Sequence, residues 1–280
     1  MEEVQAADRP PVRLACRVAY IGDRFAGSQL QAAERTVEGE FVAACTRLGL
    51  FSDHRAAGFS AAGRTDRGVH ARSQVFAFAT ALPSRARDVL NWQLPKDLWI
   101  TGCAAVDPGF SPRYDARTRT YRYYFAAADL DIRAMDAASR HFTGTHDFSC
   151  FSRSSDRNPE RTIISARVWR DQGTGVFEVS GESFLWHMVR LMAACLRRIG
   201  EGEEGEEDIL RRLEGDRVSP LSPAPPWGLV LWDVDCGIAF EPVPETGRSV
   251  GFVREQGEYH AVMARICEVL LPGSGHARTG

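Results

Sequence analysis

Two successive runs of strand and helix patterns constrain the fold of this chain more than any other feature. Val12, Leu14, Cys16, Val18 and Tyr20 alternate with other residues, so one face of an extended segment is set apart. A helix follows from Thr36, whose hydroxyl suits an N-cap; Val37, Phe41, Cys45 and Leu48 form its apolar stripe and Gly49 its stop. Strands are expected at 74–80 and 98–106, with a short helix between them, capped by Ser84 and running to Trp92. Pro108 and Pro112 then mark a boundary. Beyond it the pattern predicts a strand at 118–126, a helix at 130–142, and strands at 161–171 and 174–181 joined at Gln172-Gly173. A helix from Phe184 to Ile199, a short helix at 207–213 and a last strand at 229–235 follow. The second half has the order of a ferredoxin-like split βαβ unit. The expected fold is α+β: two similar ferredoxin-like halves sharing an antiparallel sheet, with helices packed on one side. The expected boundaries are 1–112 and 113–236, with an extension of unknown role at 237–280 that holds one helix near 255–270.

Between the first two strands of this pattern lies Gly63-Arg64-Thr65-Asp66-Arg67-Gly68-Val69-His70-Ala71. Gly63 and Gly68 permit backbone angles that other residues avoid, so a tight loop is expected. Arg64 and Asp66 are two apart and share a side if the loop is extended. A guanidinium there would favour the ionised carboxylate, which could serve as nucleophile or base. Taken alone, the same loop suits a surface Arg–Asp pair at least as well.

Bulk properties narrow the class. With 280 residues, 44% hydrophobic and 25% charged, the chain reads as globular with an ample core. The acidic start Met1-Glu2-Glu3-Val4 lacks the apolar run of a secretory signal, and no stretch approaches a membrane span. Cys16, Cys45, Cys103, Cys150, Cys195, Cys236 and Cys267 are odd in number, scattered and free of CxxC spacing, which fits reduced thiols in the cytoplasm. The net charge is −3, but residues 201–216 hold eight acids against two arginines, while residues 111–170 hold eleven arginines against seven acids. That separation is compatible with a local anion-binding surface. Neither a P-loop nor a Rossmann glycine run is present. His141, His146 and Cys150 lack the paired spacing of a zinc site, and no metal is expected. The pairs Asp129/Asp131 and Asp233/Asp235 read as a helix start and a strand end rather than a phosphotransfer site.

Several stretches line up in order with one family. Gly63-Arg64-Thr65-Asp66 with Gly68-Val69-His70-Ala71 resembles the catalytic loop of the TruA-type tRNA pseudouridine synthases. Tyr20, Gly22, Phe25, Gly27 and Gln29 resemble that family's N-terminal loop, Tyr121-Arg122-Tyr123 its tyrosine strand, and Gly144, Asp147, Phe148 and Phe151 its helix-ending segment. Phe184 with His187-Met188-Val189-Arg190 resembles its C-terminal helix, and Gly228-Leu229 its final strand. The resemblance spans residues 12–236. The chain departs from the family at Ile21, where Asp is usual, at Ser28, where Trp is usual, and at Arg67, where Ala is common.

The resemblance implies the pseudouridine synthase fold and a cofactor-independent isomerase. Asp66 would be the catalytic nucleophile or base, Arg64 would orient it, Tyr121 would stack on the flipped uracil, and Leu229 would line the pocket. Arg190 lies on an otherwise apolar helix and needs a partner if buried; Asp66 is the candidate. The implied substrate is tRNA at about positions 38–40 of the anticodon stem-loop, where a base must leave the stack to be reached. A homodimer is implied as well. A non-catalytic RNA-binding protein on the same scaffold, or a synthase acting on other RNA sites, stays open at this point.

Overall fold

The computed structural model describes residues 10–126, 129–153, 158–216 and 218–270. Its centre is one sheet built from β1 (Val12–Tyr20), β2 (Ser60–Ala61), β3 (His70–Thr80), β4 (Leu98–Val106), β5 (Thr118–Ala126), β6 (Gly144–Asp147), β7 (Glu160–Asp171), β8 (Thr174–Gly181), β9 (Leu229–Asp235) and β10 (Glu241–Pro242). The strand order is β10-β4-β1-β3-β9-β5-β8-β7-β6, with β2 paired to β3 off this path. The pairs are antiparallel except one: β3 and β9 run parallel, with His70 opposite Val230 and Ala71 opposite Leu231. The last long strand of the chain therefore leaves its own neighbourhood and inserts between β3 and β5. This seam brings the loop before β3 beside the tyrosines of β5.

The helices are α1 (Val37–Arg47), α2 (Pro83–Gln93), α3 (Pro112–Asp115), α4 (Ile132–Ser139), α5 (Met188–Gly200), α6 (Glu206–Leu213) and α7 (Gly247–Leu270). Thr36 caps α1 by accepting from the Gly39 amide, as its sequence suggests. For α2 the cap is not Ser84: Pro83 takes the first turn, where its missing N–H goes unused. Asp131 caps α4, accepting from the Arg133 and Ala134 amides, so the first aspartate pair serves a helix start. The expected helix at 130–142 ends in a 3₁₀ turn, Arg140–Phe142. The hairpin β7–β8 turns through Gln172 and Gly173, both at positive φ, a geometry that matches the strand twist.

α2 packs on β4, α4 on β7 and α5 on β5. Strand β5 shows the cause in its alternation: Arg119, Tyr121, Tyr123 and Phe125 are buried, whereas Thr120, Arg122 and Tyr124 are half-buried. From α5, Met188, Leu191, Met192, Cys195 and Leu196 enter the core, each large apolar side chain contributing roughly 1.5–3 kcal/mol on burial. On the other face of β5, Arg122 stacks on Trp232 at 3.6 Å, and Arg72 covers the same indole at 4.5 Å. The seven cysteines are free thiols; the Cys16 and Cys103 sulfurs lie 3.3 Å apart across β1 and β4. Among the described residues no helix is long and apolar enough to cross a membrane.

Candidate active site

Residues 62–69 leave the short strand β2 and enter β3 at the seam. Gly68 stands at φ 79° and closes a turn in which the Val69 amide donates to the Asp66 carbonyl at 3.2 Å. Of the two glycines expected to need unusual angles, only Gly68 uses one; Gly63 does not have positive φ. The loop is held from several sides. Gln74 donates to the Gly63 carbonyl at 2.8 Å. The Thr65 amide donates to Ser28 Oγ at 2.8 Å, and the Ser28 amide returns a bond to the Thr65 carbonyl at 3.0 Å. Ser28 is fully buried, so the residue that departs from the family pattern is a structural partner of the loop. Tyr20 and Thr65 join their hydroxyls at 2.8 Å. A Cβ on Gly22 would collide with the Val69 carbonyl, which is why the N-terminal loop carries glycine there.

Arg119 closes the other side. It is 9% exposed, and its guanidinium donates to the carbonyls of Ala62, Arg113 and Glu182 at 2.7 to 3.1 Å. Burial lowers its pKa from the usual arginine value, and three carbonyls take the place of water. The sequence reading missed this residue. Its signal was parity: Arg119, Tyr121 and Tyr123 alternate onto one face.

The Asp66 carboxylate meets three donors. Arg190 Nη1 lies 2.9 Å from Oδ2, His187 Nε2 lies 3.3 Å from Oδ2, and Trp186 Nε1 donates to Oδ1 at 3.2 Å. The Arg190 side chain is 13% exposed and that of Asp66 26%, so the ion pair sits in a partly dry cleft. Arg190 is itself fixed: its Nε donates to the Ala224 carbonyl at 2.7 Å, and the Ala224 amide donates back at 3.0 Å. Helix α5 begins at Met188, four residues later than the apolar pattern predicts. Residues 184–187 instead form a turn ending at His187 in the left-handed region, φ 63°. That turn delivers Trp186 and His187 to Asp66, a placement that helical periodicity concealed.

Arg64 stands elsewhere. It is exposed, and the carboxylate it faces is Glu38, whose pKa burial raises and Arg64 partly lowers. The expected Arg64–Asp66 pair is replaced by Arg190–Asp66, because the buried Thr65 side chain anchors the loop between them. Arg67 reaches Glu34 at 3.5 Å with its side chain largely in solvent.

Tyr121 is 8% exposed, and its ring meets Phe184 edge-on at 5.0 Å. Burial pushes its phenol up to about 12, with the Asp66 charge adding to the rise and Arg119 opposing it. It is therefore a neutral phenol near the carboxylate. Leu229 is buried on β9 opposite Tyr123, two positions from Leu231, the residue that pairs with Tyr121. His70 fixes the far end of the loop: its Nδ1 accepts from the Gly22 amide at 3.0 Å and its Nε2 lies 3.1 Å from the Trp227 carbonyl. His141 and His146 have separate partners, Glu206 and the Thr143 carbonyl, each at 3.1 Å. Among the described residues no group of three or more His, Cys, Asp or Glu side chains could hold a metal ion.

A carboxylate held by an arginine from a distant helix thus lies beside a buried tyrosine at the seam of a mixed sheet. The family described as tRNA pseudouridine synthase matches residues 138–235. A tRNA pseudouridine synthase A of Methanoculleus marisnigri is 53% identical over 255 residues, 91% of this chain and 94% of the relative. One from Methanosphaerula palustris is 52% identical over 271 residues, 96% of each chain. One from Thermococcus onnurineus is 42% identical over 262 residues, 92% of this chain and 95% of the relative. The chain belongs to the tRNA pseudouridine synthases, an isomerase family with the pseudouridine synthase fold.

Proposed function

We propose that this chain converts uridine to pseudouridine in the anticodon stem-loop of tRNA, with Asp66 as the nucleophile or base that breaks the glycosidic bond. The observation that carries the reading is the Arg190–Asp66 pair at 2.9 Å beside Tyr121. The reaction is an isomerisation. The bond from ribose C1′ to N1 breaks, a bond from C1′ to C5 forms, and a proton leaves C5 while N1 gains one. No electrons are exchanged and no co-reactant is consumed.

Each residue then has a task. Arg190 holds Asp66 aimed through the 2.9 Å contact of Nη1 with Oδ2. Tyr121, neutral and buried, offers a ring face to the extruded uracil; such stacking contributes about 1–3 kcal/mol per base. Leu229 supplies apolar wall, and the exposed Arg64 fills the space left in the RNA stem. The cleft lies between the half ending at residue 112 and the half at 113–236, with 237–280 as an extension. The protein acts in the cytoplasm as a homodimer, so that one tRNA touches two subunits.

Incubating the purified chain with unmodified tRNA and mapping pseudouridine at nucleotide resolution tests the proposal. The expected product lies in the anticodon stem-loop, at about positions 38–40, where the target base must be flipped out. Modification confined to another arm would overturn the substrate assignment.

A further inference from the structure

The two oxygens of Asp66 are held unequally. Oδ2 takes the charged Arg190 donor at 2.9 Å and the His187 ring nitrogen at 3.3 Å. Among the described residues, Oδ1 takes only the neutral indole N–H of Trp186, at 3.2 Å. A lone pair facing a single neutral donor stays freer to react than one facing a guanidinium.

Trp186 is 57% exposed, yet its place is built rather than incidental. Its carbonyl accepts from the Arg153 amide at 3.2 Å and from Ser152 Oγ at 3.4 Å. Its ring lies 4.4 Å from that of His187. The His187 backbone sits at φ 63°, in the left-handed region that non-glycine residues seldom occupy. The turn places both rings at the carboxylate.

We propose that Trp186 is a positioning residue for Asp66: its indole N–H fixes the rotation of the carboxylate and leaves Oδ1 as the oxygen presented to the uridine. Arg190 supplies the charge and Trp186 sets the angle. This rests on the reading of Asp66 as the reacting carboxylate. A misaligned reacting group can cost up to about 100-fold in rate without loss of binding.

Single-turnover pseudouridine formation and tRNA affinity, measured on the full chain and on Trp186→Phe and Trp186→Leu, test the inference. Phe keeps an aromatic ring and removes the N–H; Leu removes both. The expected result is a fall in the single-turnover rate constant of about tenfold in both variants, as for a mispositioned group, with tRNA affinity and melting temperature near those of the parent. If Trp186→Phe retains the parent rate, the N–H does not position Asp66 and the proposal fails. It fails equally if tRNA affinity falls in step with the rate, which would make Trp186 a binding residue. Absence of pseudouridine formation by the parent chain would instead overturn the function proposed above, so the two failures are distinguishable.

Discussion

His187 accepts backbone strain and places its ring against Asp66, with Nδ1 buried and lacking a hydrogen-bond partner among the described residues. If Nε2 donates to the carboxylate, a second proton on Nδ1 would be a buried, unpaired donor. Burial, together with Arg190 and Arg153, pushes the ring's pKa below its usual value, against the pull of Asp66. Asn tolerates the left-handed region and a β-branched residue does not. His187→Asn is expected to melt near the parent and His187→Val to lose about 1–2 kcal/mol, read by chemical denaturation. Arg119 offers a second stability test. Its replacement by Met keeps the aliphatic stem and leaves the Ala62, Arg113 and Glu182 carbonyls without their shared donor. Hydrogen bonds to a charged group contribute about 1.5–3 kcal/mol each, so Arg119→Met should destabilise by about 3 kcal/mol or more. A denaturation midpoint equal to the parent's would remove Arg119 from this role.

At the level of elements, the loop that carries Asp66 is clamped between the N-terminal loop and the start of β9. Gly22→Ala would drive a Cβ into the Val69 carbonyl; overpacking of this kind costs about 1–3 kcal/mol and should lower activity through loop displacement. His70 makes the same clamp pH-dependent. Burial holds its pKa below the usual histidine value, with His260 adding to the fall while Asp23 and the Trp227 carbonyl oppose it. The unfolded chain therefore binds that proton more readily than the folded one. Stability is full above the unfolded value of about 6.5 and falls as pH drops below it. Protonation of Nδ1 would also break the bond from the Gly22 amide. Denaturation at pH 7 and pH 5 should show this loss, and His70→Gln should reduce it. Much of the element list was legible in the sequence. Alternation marked β1, the strands expected at 98–106, 118–126 and 229–235 coincide with β4, β5 and β9, and Thr36 marked its helix, because those signals are local. The start of α5 was not: Phe184, Met188 and Leu191 continue an apolar spacing, and the turn at His187 is decided by contacts with Asp66, distant in sequence. The insertion of β9 between β3 and β5 was hidden for the same reason, since strand pairing leaves little trace in either strand alone.

For the whole molecule, the seam is the organising fact. It joins a loop from one end of the chain to a tyrosine strand and an arginine helix from the other, so no fragment carries the site. The arginine excess at 111–170 and the acidic stretch at 201–216 separate charge along the chain. Arginines that neutralise RNA phosphates release counterions, so under the proposed function tRNA affinity should fall steeply between low and moderate salt; a flat response would contradict backbone recognition. The proposed homodimer has its own test: sedimentation of the full chain should give twice the 31.0 kDa monomer mass. The extension at 237–280 contributes α7, whose Tyr259, Val262, Ile266 and Leu270 are exposed; the sequence showed that helix and gave no account of its partner.

The most direct test of the central claim is single-turnover pseudouridine formation by Asp66→Asn. The substitution keeps the size and removes the charge that Arg190 faces. Asp66→Asn is expected to form no detectable pseudouridine while still binding tRNA. Retention of activity in that variant would contradict it.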